Sequence, residues 1–330
     1  MRAAVCENFG PVDQLQVKEI PDPIPGENDV IIDVAYAGIN FPDTLMVQGL
    51  YQHKPKLPFV PGYECSGVIS AIGKNVTTLK VGDRVWASTM FNNSFAEKVK
   101  VDHGRIRPLP AGVDFKTGAV LSVTYLTAMN GLKHKANLQA GETVLILGAS
   151  GGVGTAAIEL AKLNGATVIA AASTREKLDY CKEVGADYVI NYETENIKDR
   201  VMQLTNDKGV DVVFDNVGDK YAEPAMRSLG YSGRYLVVGF AAGNIPSIPL
   251  NLALLSERKI MGVYNGAFAP KHPKEMQSYI NQFNILAKTG KLNPKITRVF
   301  TLDQVAEALS FSGSRNLMGK AILEINPNLG

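Results

Sequence analysis

Thr143–Gly154, TVLILGASGGVG, is the stretch from which the fold is read. Thr143 to Leu147 is a short apolar run rich in β-branched residues, the composition of a strand buried on both faces. Glycines 148, 151, 152 and 154 follow at once. The next residues, VGTAAIELAKLNG, repeat Val153, Ala157, Leu160 and Ala161 at helical spacing until Gly165 stops the run. Strand, glycine turn and helix in that order are the context a dinucleotide fingerprint requires. Glycines let the backbone approach a pyrophosphate, and the N–H groups of the first helical turn point at it. The alternative is a structural βα turn that binds nothing. One departure is visible: the first fingerprint position is Ala149, not Gly.

Outward from this stretch the chain alternates strands and helices from about residue 124. Strands are expected at Val144–Leu147, Thr167–Ala172, Tyr188–Ile190, Val212–Phe214 and Tyr235–Val238, and helices at about 152–164, 175–184, 196–205 and 219–229. Such alternation gives an α/β, doubly wound parallel sheet of the Rossmann kind. A sixth strand, Ile260–Val263, is expected at its edge, and Pro224 interrupts the fourth helix. Residues 1–123 read instead as a mostly β domain, with strand-like runs at Ala3–Cys6, Val30–Ala35, Gly67–Ile72, Arg84–Ala87 and Glu97–Val101 between Pro- and Gly-rich turns. Beyond about 265 come a helix stopped by Gly290, a strand at Lys295–Phe300, a helix in DQVAEALSFS and a strand in KAILEI. That tail is too short for a domain of its own. The expected division is 1–123, a dinucleotide domain over 124–264, and 265–330 returning to complete the first domain.

Composition narrows the function. The 330 residues carry a net charge of only +2, with 20% charged residues of both signs interspersed. No basic stripe with aromatics is present, so nucleic acid is not an expected partner. No apolar run is long enough to span a bilayer, and the N-terminus lacks the apolar core of a signal peptide. Cys6, Cys65 and Cys181 are few and scattered, which fits a reducing, cytoplasmic location and small buried thiols. The histidines 53, 103, 134 and 272 show no metal-site spacing in the sequence.

The end of the second strand of a dinucleotide fold meets the adenine-side ribose, where an acid selects NAD. Here TVIAAA ends in Ser173-Thr174-Arg175-Glu176-Lys177, hydroxyls and cations with no acid at the turn itself. Charge-assisted bonds from such donors contribute about 1.5–3 kcal/mol each, roughly tenfold or more in affinity. A 2′-phosphate, and so NADP(H), is the expected ligand, with Glu176 facing solvent. The competing reading of Arg175 and Lys177 is solvated charge on a first helical turn, which the helix dipole mildly disfavours.

Four groups of residues carry a family resemblance: Gly38-Ile39-Asn40-Phe41-Pro42-Asp43, Pro61-Gly62-Tyr63-Glu64-Cys65-Ser66-Gly67, Val81-Gly82-Asp83-Arg84-Val85 and the glycine stretch. In these, and in order along essentially the whole chain, the sequence resembles the medium-chain dehydrogenase/reductase superfamily. It is most similar to the zinc-free branch of NADPH:quinone oxidoreductases, of the zeta-crystallin type, and to the quinone oxidoreductase-like proteins. In the superfamily's zinc alcohol dehydrogenases a Cys stands at the position of Asn40 and a His at that of Tyr63, so both ligands are missing here. Three cysteines cannot build the four-cysteine structural site either.

The resemblance implies a GroES-like domain plus a Rossmann domain with the active site in the cleft between them. It implies that Asn40 faces the nicotinamide, with Asp43 in the same motif, and that Thr127 contacts the carboxamide side. Ser150, Gly151, Gly152 and Val153 would meet the pyrophosphate, and Ser173, Lys177 and Tyr192 the 2′-phosphate. Asn216, Gly239 and Phe240 would flank the cofactor, and Asn316 to Lys320 would return to the cleft. Leu45 stands where some relatives have Tyr. Bland readings accompany these: Asn40 caps a turn, Asp43 is the N-cap of TLMVQGL, Tyr192 is a strand-end aromatic, and Asn216 satisfies loop backbone.

A quinone or α,β-unsaturated carbonyl accepts hydride without a Lewis acid more readily than a ketone does. The expected reaction is therefore metal-free hydride transfer from NADPH to such an acceptor. Asn40 and Tyr51 or Tyr63 would supply hydrogen bonds to the developing oxyanion. The alternatives are an enoyl-thioester or enal reductase, with Lys54 and Lys56 near a coenzyme A phosphate, and a non-catalytic NADPH-binding protein. A homodimer joined through the Ile260–Val263 strand is the expected assembly.

Overall fold

The structure, a computed structural model, describes residues 1–90, 93–314 and 316–329. The chain divides into two compact units, Met1–Val123 with Ile280–Gly330, and Thr124–Tyr279. The tail was expected to leave the second unit at 265. It leaves at Ile280 instead, within the helix Pro273–Lys288. Local packing explains the later exit: Phe268 is buried in the second unit and holds its ring 5.0 Å from that of His134.

In the second unit six parallel strands lie in the spatial order Tyr188–Asn191, Thr167–Ala172, Thr143–Leu147, Val210–Asp215, Leu229–Val237 and Lys259–Gly262. This is the 3-2-1-4-5-6 order of a doubly wound dinucleotide fold. Val144, Leu145, Ile146 and Leu147 are fully buried, as an apolar β-branched run between two helical layers must be. Helices Gly152–Leu163, Arg175–Val184 and Ile197–Leu204 follow the first three strands in chain order. The fourth helix is shorter than its periodicity suggests. A single 3₁₀ turn, Asp219–Tyr221, leads into Ala222–Arg227, and a strand begins at Leu229. Pro224 sits in the first turn of that helix, where its missing N–H costs nothing.

The first unit is built on a seven-stranded sheet. Its path runs Ile296–Thr301, Lys320–Glu324, Asp29–Gly38, Glu64–Ile72, Arg84–Ser88 and Ile106–Pro108, and Lys98–Asp102 also pairs with Asp29–Gly38. The long strand Asp29–Gly38 is thus the spine. Its residues Val30, Ile32, Val34 and Ala37 point into one apolar cluster with Ile39, Met46, Ile69, Val85, Phe95, Leu309 and Leu323. The short helix Phe41–Val47 leaves the end of this spine directly. No helix among the described residues is long and apolar enough to cross a membrane.

Candidate active site

In the second unit the carboxyl ends of the strands gather the residues singled out for the cofactor. The sheet order reverses between Thr143–Leu147 and Val210–Asp215, which pair directly, and such a switch point opens a crevice. Asn216 spans it, its Nδ2 donating to the Leu147 carbonyl at 3.0 Å. Beside it, Asp215 accepts from the Val217 and Gly218 N–H groups at 2.7 and 2.9 Å and from the Tyr235 hydroxyl. Those bonds fix the loop that carries Asn216. Gly239 follows, its N–H on the Asp215 carbonyl at 3.2 Å, and Phe240 packs toward Gly218.

The glycine turn is built for close approach. The first helical hydrogen bond runs from Thr155 N–H to the Gly151 carbonyl, so the Gly152, Val153 and Gly154 N–H groups precede it and have no intrahelical acceptor. A Cβ on Gly154 would lie 2.4 Å from the Gly148 carbonyl oxygen and 2.7 Å from the Ala149 Cα. Only glycine lets the helix start this near the strand, while Ala149 is tolerated because its methyl is fully buried. Ser150 is buried beside this turn.

At the adenine-side end, Thr174 caps the helix Arg175–Val184, and Lys177 folds back so that its Nζ lies 3.2 Å from Ser173 Oγ. Tyr192 N–H donates to the Ala172 carbonyl at 3.2 Å, which sets Tyr192 next to Ser173, its ring 4.4 Å from that of Tyr221. Arg175 behaves differently from Lys177: its Nε is bound to Asp179, one turn along the helix, at 2.9 Å. Glu176 is exposed. A notch of one ammonium, one hydroxyl and one aromatic ring, next to helical N–H groups, suits a phosphorylated dinucleotide. Thr127 is buried in the helix Leu126–Met129 of the same unit.

The first unit holds a buried ion pair beside Asn40, between Lys320 and Glu64, and sequence reasoning had left Glu64 without a role. Gly38 pairs with Glu64 on one neighbouring strand and with Ile322 on the other, two residues past Lys320. This register sets a carboxylate and an ammonium side by side at the end of the spine, next to Asn40. Lys320 Nζ donates to the Ile39 carbonyl at 2.7 Å, to Asn40 Oδ1 at 2.7 Å and to Glu64 Oε1 at 3.1 Å. Glu64 also accepts from Asn40 Nδ2 at 3.0 Å, from Ser122 Oγ at 3.1 Å and from Val123 N–H at 2.9 Å. Gly38 makes room for it, since a Cβ there would come within 2.5 Å of Glu64 Oε1. Glu64 is 0% exposed and Lys320 5%. Buried charges persist only when paired and fully hydrogen-bonded, and these are. The signal was in the sequence: Glu64 and Lys320 each open a strand, directly before buried small or apolar residues.

Two expectations are corrected here. Asp43 is not the N-cap of its helix. Asn40 takes that place, and Asp43, at the third helical position, accepts the Asn40 N–H at 2.8 Å. Asp43 is fully buried, and burial pushes its carboxyl up to about 8, against the pull of the Asn40 hydrogen bond and the Lys320 charge. Asn40 Nδ2, expected to donate to a developing oxyanion, is already committed to Glu64 and, at 3.4 Å, to the Gly38 carbonyl. Tyr63 is buried, and half-buried Tyr51 meets it edge to face with ring centroids 6.3 Å apart. Asn316 is exposed, on the loop that follows the helix Val305–Gly313.

A catalytic zinc does not fit this cluster. Its neutral side chains are the Asn40 amide and the Ser122 hydroxyl, poor ligands for Zn²⁺, and the Glu64 carboxylate is already neutralised by an ammonium with all three protons placed.

Residues 26–129 match the family described as alcohol dehydrogenase GroES-like domain, and residues 152–284 match zinc-binding dehydrogenase. A quinone oxidoreductase-like protein 2 homolog of Nematostella vectensis is 38% identical over 98% of this chain and 88% of its own length. The quinone oxidoreductase of Homo sapiens is 34% identical over 93% of this chain and 92% of its own. The crystal structure of Escherichia coli quinone oxidoreductase complexed with NADPH superposes with a TM-score of 0.92 at 26% identity, covering 98% of this chain and 100% of that one.

Proposed function

The chain belongs to the quinone oxidoreductase family of medium-chain dehydrogenases/reductases, and from that premise we propose an NADPH-dependent reductase of quinones or related α,β-unsaturated carbonyls that works without a metal. The observation that carries the cofactor choice is Lys177 held over Ser173 beside Tyr192, in a turn that offers a 2′-phosphate an ammonium and a hydroxyl while its one acid, Glu176, is exposed. The Escherichia coli relative, solved with NADPH, supports the same choice. Bound there, the nicotinamide would supply a hydride to the acceptor.

The chain's residues orient and polarise. Ser150 to Val153 hold the pyrophosphate through the helical N–H groups, and Asn216, Gly239 and Phe240 line the crevice at the switch point. Asn40 and Thr127 are the proposed neighbours of the nicotinamide. Asn40 serves there as a rigid wall, because Lys320 and Glu64 hold both ends of its amide. The hydrogen bond to the developing oxyanion then falls to Tyr51, the more exposed of the two tyrosines, with Tyr63 supporting its ring. A delocalised enolate or hydroquinone anion takes its proton from water, so no buried acid is required.

An acceptor screen with NADPH and NADH in parallel tests this. NADPH oxidation by 1,4-benzoquinone or 9,10-phenanthrenequinone, with NADH much slower, is the expected result. Faster oxidation by crotonyl-CoA would make the enzyme an enoyl-thioester reductase. NADPH binding without oxidation by any acceptor would make it a binding protein.

A homodimer is proposed from the sheet edge. Among the described residues Lys259–Gly262 pairs on one side only, with Leu229–Val237. Nearby Leu250, Leu254 and Leu255 are about three-quarters exposed. An open edge with apolar neighbours is a site for pairing with a second copy. Light scattering should give twice the chain mass, and Leu254→Asp should reduce it to one. The three cysteines are free and buried, in keeping with a cytoplasmic protein.

A further inference from the structure

We propose that His134, His272 and Glu275 form a binding site for a divalent transition-metal ion, Zn²⁺ or a neighbour of similar softness, separate from the reaction chemistry. Among the described residues these three are the one group of His, Cys, Asp and Glu whose ligand atoms converge, all within 4.8 Å of one another.

The elements that bring them together are far apart in the chain. His134 lies in the wide helical turn Asn130–Lys135. His272 immediately precedes the helix Pro273–Lys288, and Glu275 is in its first turn. An H-x-x-E spacing at a helix start sets imidazole and carboxylate on one face. The two imidazoles have ring centroids 4.5 Å apart. Phe268 braces both, stacking on His272 at 5.0 Å and taking the edge of His134 at 5.0 Å. Tyr279 stacks on Phe268 in turn, with ring centroids 5.6 Å apart.

None of the three side chains forms a hydrogen bond or ion pair with another described residue. Two imidazoles brought this close without a proton partner are poorly matched to each other but well matched to a shared cation. All three are half-buried, so an ion can enter, and the aromatic wall limits how the rings can turn. Two imidazole nitrogens are borderline donors beside one hard carboxylate oxygen, a set in which the nitrogens favour Zn²⁺, Co²⁺, Ni²⁺ or Cu²⁺ over Mg²⁺ or Ca²⁺. Three protein ligands leave a fourth position for water. The positive end of the helix opposes a cation there, but Glu275 in its first turn offsets it. The bound ion would pin the turn Asn130–Lys135 to the start of the helix Pro273–Lys288.

The test uses the full-length, tag-free chain, freed of metal and titrated with ZnCl₂ by equilibrium dialysis. Co²⁺ is added separately and followed by its visible d–d absorption. One Zn²⁺ per chain and a Co²⁺ spectrum of nitrogen–oxygen ligation are expected. His134→Asn and His272→Asn should each weaken Zn²⁺ binding by about 100-fold or more, beyond the loss typical of outer-shell partners. Glu275→Gln should weaken it less, and His53→Asn and His103→Asn should leave it unchanged. If a histidine variant misfolds, the NMR signals of the wild-type imidazoles decide: two of the four histidines in the sequence should shift on adding Zn²⁺. Absence of stoichiometric binding, equal loss in the His53 or His103 variants, or a shift of histidines other than 134 and 272 would overturn the proposal.

Discussion

Lys320 Nζ and Glu64 Oε1 lie 3.1 Å apart with 6% and 1% of their side chains exposed, and every proton of the ammonium has an acceptor. The pair closes the end of the central strand of its sheet and grips the Asn40 amide from both sides. Desolvating two charges is costly, so the stability of this arrangement depends on its completeness and not on attraction alone. Lys320→Met should therefore cost about 3–5 kcal/mol by leaving the Glu64 carboxylate unpaired. Glu64→Gln with Lys320→Met should recover part of that loss in urea denaturation. A single variant as stable as the wild type would mean that water reaches the pair.

Asn40→Ala removes one acceptor from Lys320 and one donor from Glu64, at about 1–3 kcal/mol for the groups left unsatisfied. Turnover should fall while the KM for NADPH stays near the wild-type value. Unchanged turnover in a folded variant would take Asn40 out of the mechanism.

Lys177→Ala should raise the KM for NADPH about tenfold or more and leave that for NADH almost unchanged, since only NADPH carries the 2′-phosphate. Arg175→Ala should have the smaller effect, because Arg175 Nε is bound to Asp179 on an exposed helix face. An unaltered preference for NADPH in the Lys177 variant would argue against this notch.

Asp43 provides a pH signature. Its folded value of about 8 stands above the ordinary 3.8, so between these the folded chain holds a proton that the unfolded chain releases. The contribution of the neutral acid is complete below about pH 4 and is lost as pH rises toward 8. Asp43→Asn cannot titrate and keeps an oxygen for the Asn40 N–H. The stability of the wild type relative to this variant should therefore fall by a few kcal/mol between about pH 5 and pH 8. Parallel urea midpoints at all pH values would show that Asp43 stays ionised.

Much of this molecule is written in short windows of sequence. The run Thr143–Gly154 encodes strand, turn and helix through side-chain period and four glycines, and each is a local property that survives in any context. The cationic turn after TVIAAA is local in the same way, because its residues are consecutive in the chain and lie on a single loop. The expected helix over 219–229 was less legible, since it opens as a 3₁₀ turn, Asp219–Tyr221, and the strand beginning at Leu229 takes its last residue. The Asn40–Glu64–Lys320 cluster and the meeting of His134 with His272 and Glu275 belong to another class. Their members are distant in the chain, and no periodicity relates them. They meet because strand order and register, set by burial of whole apolar faces, bring those positions together; only then do charge and ligand chemistry become visible.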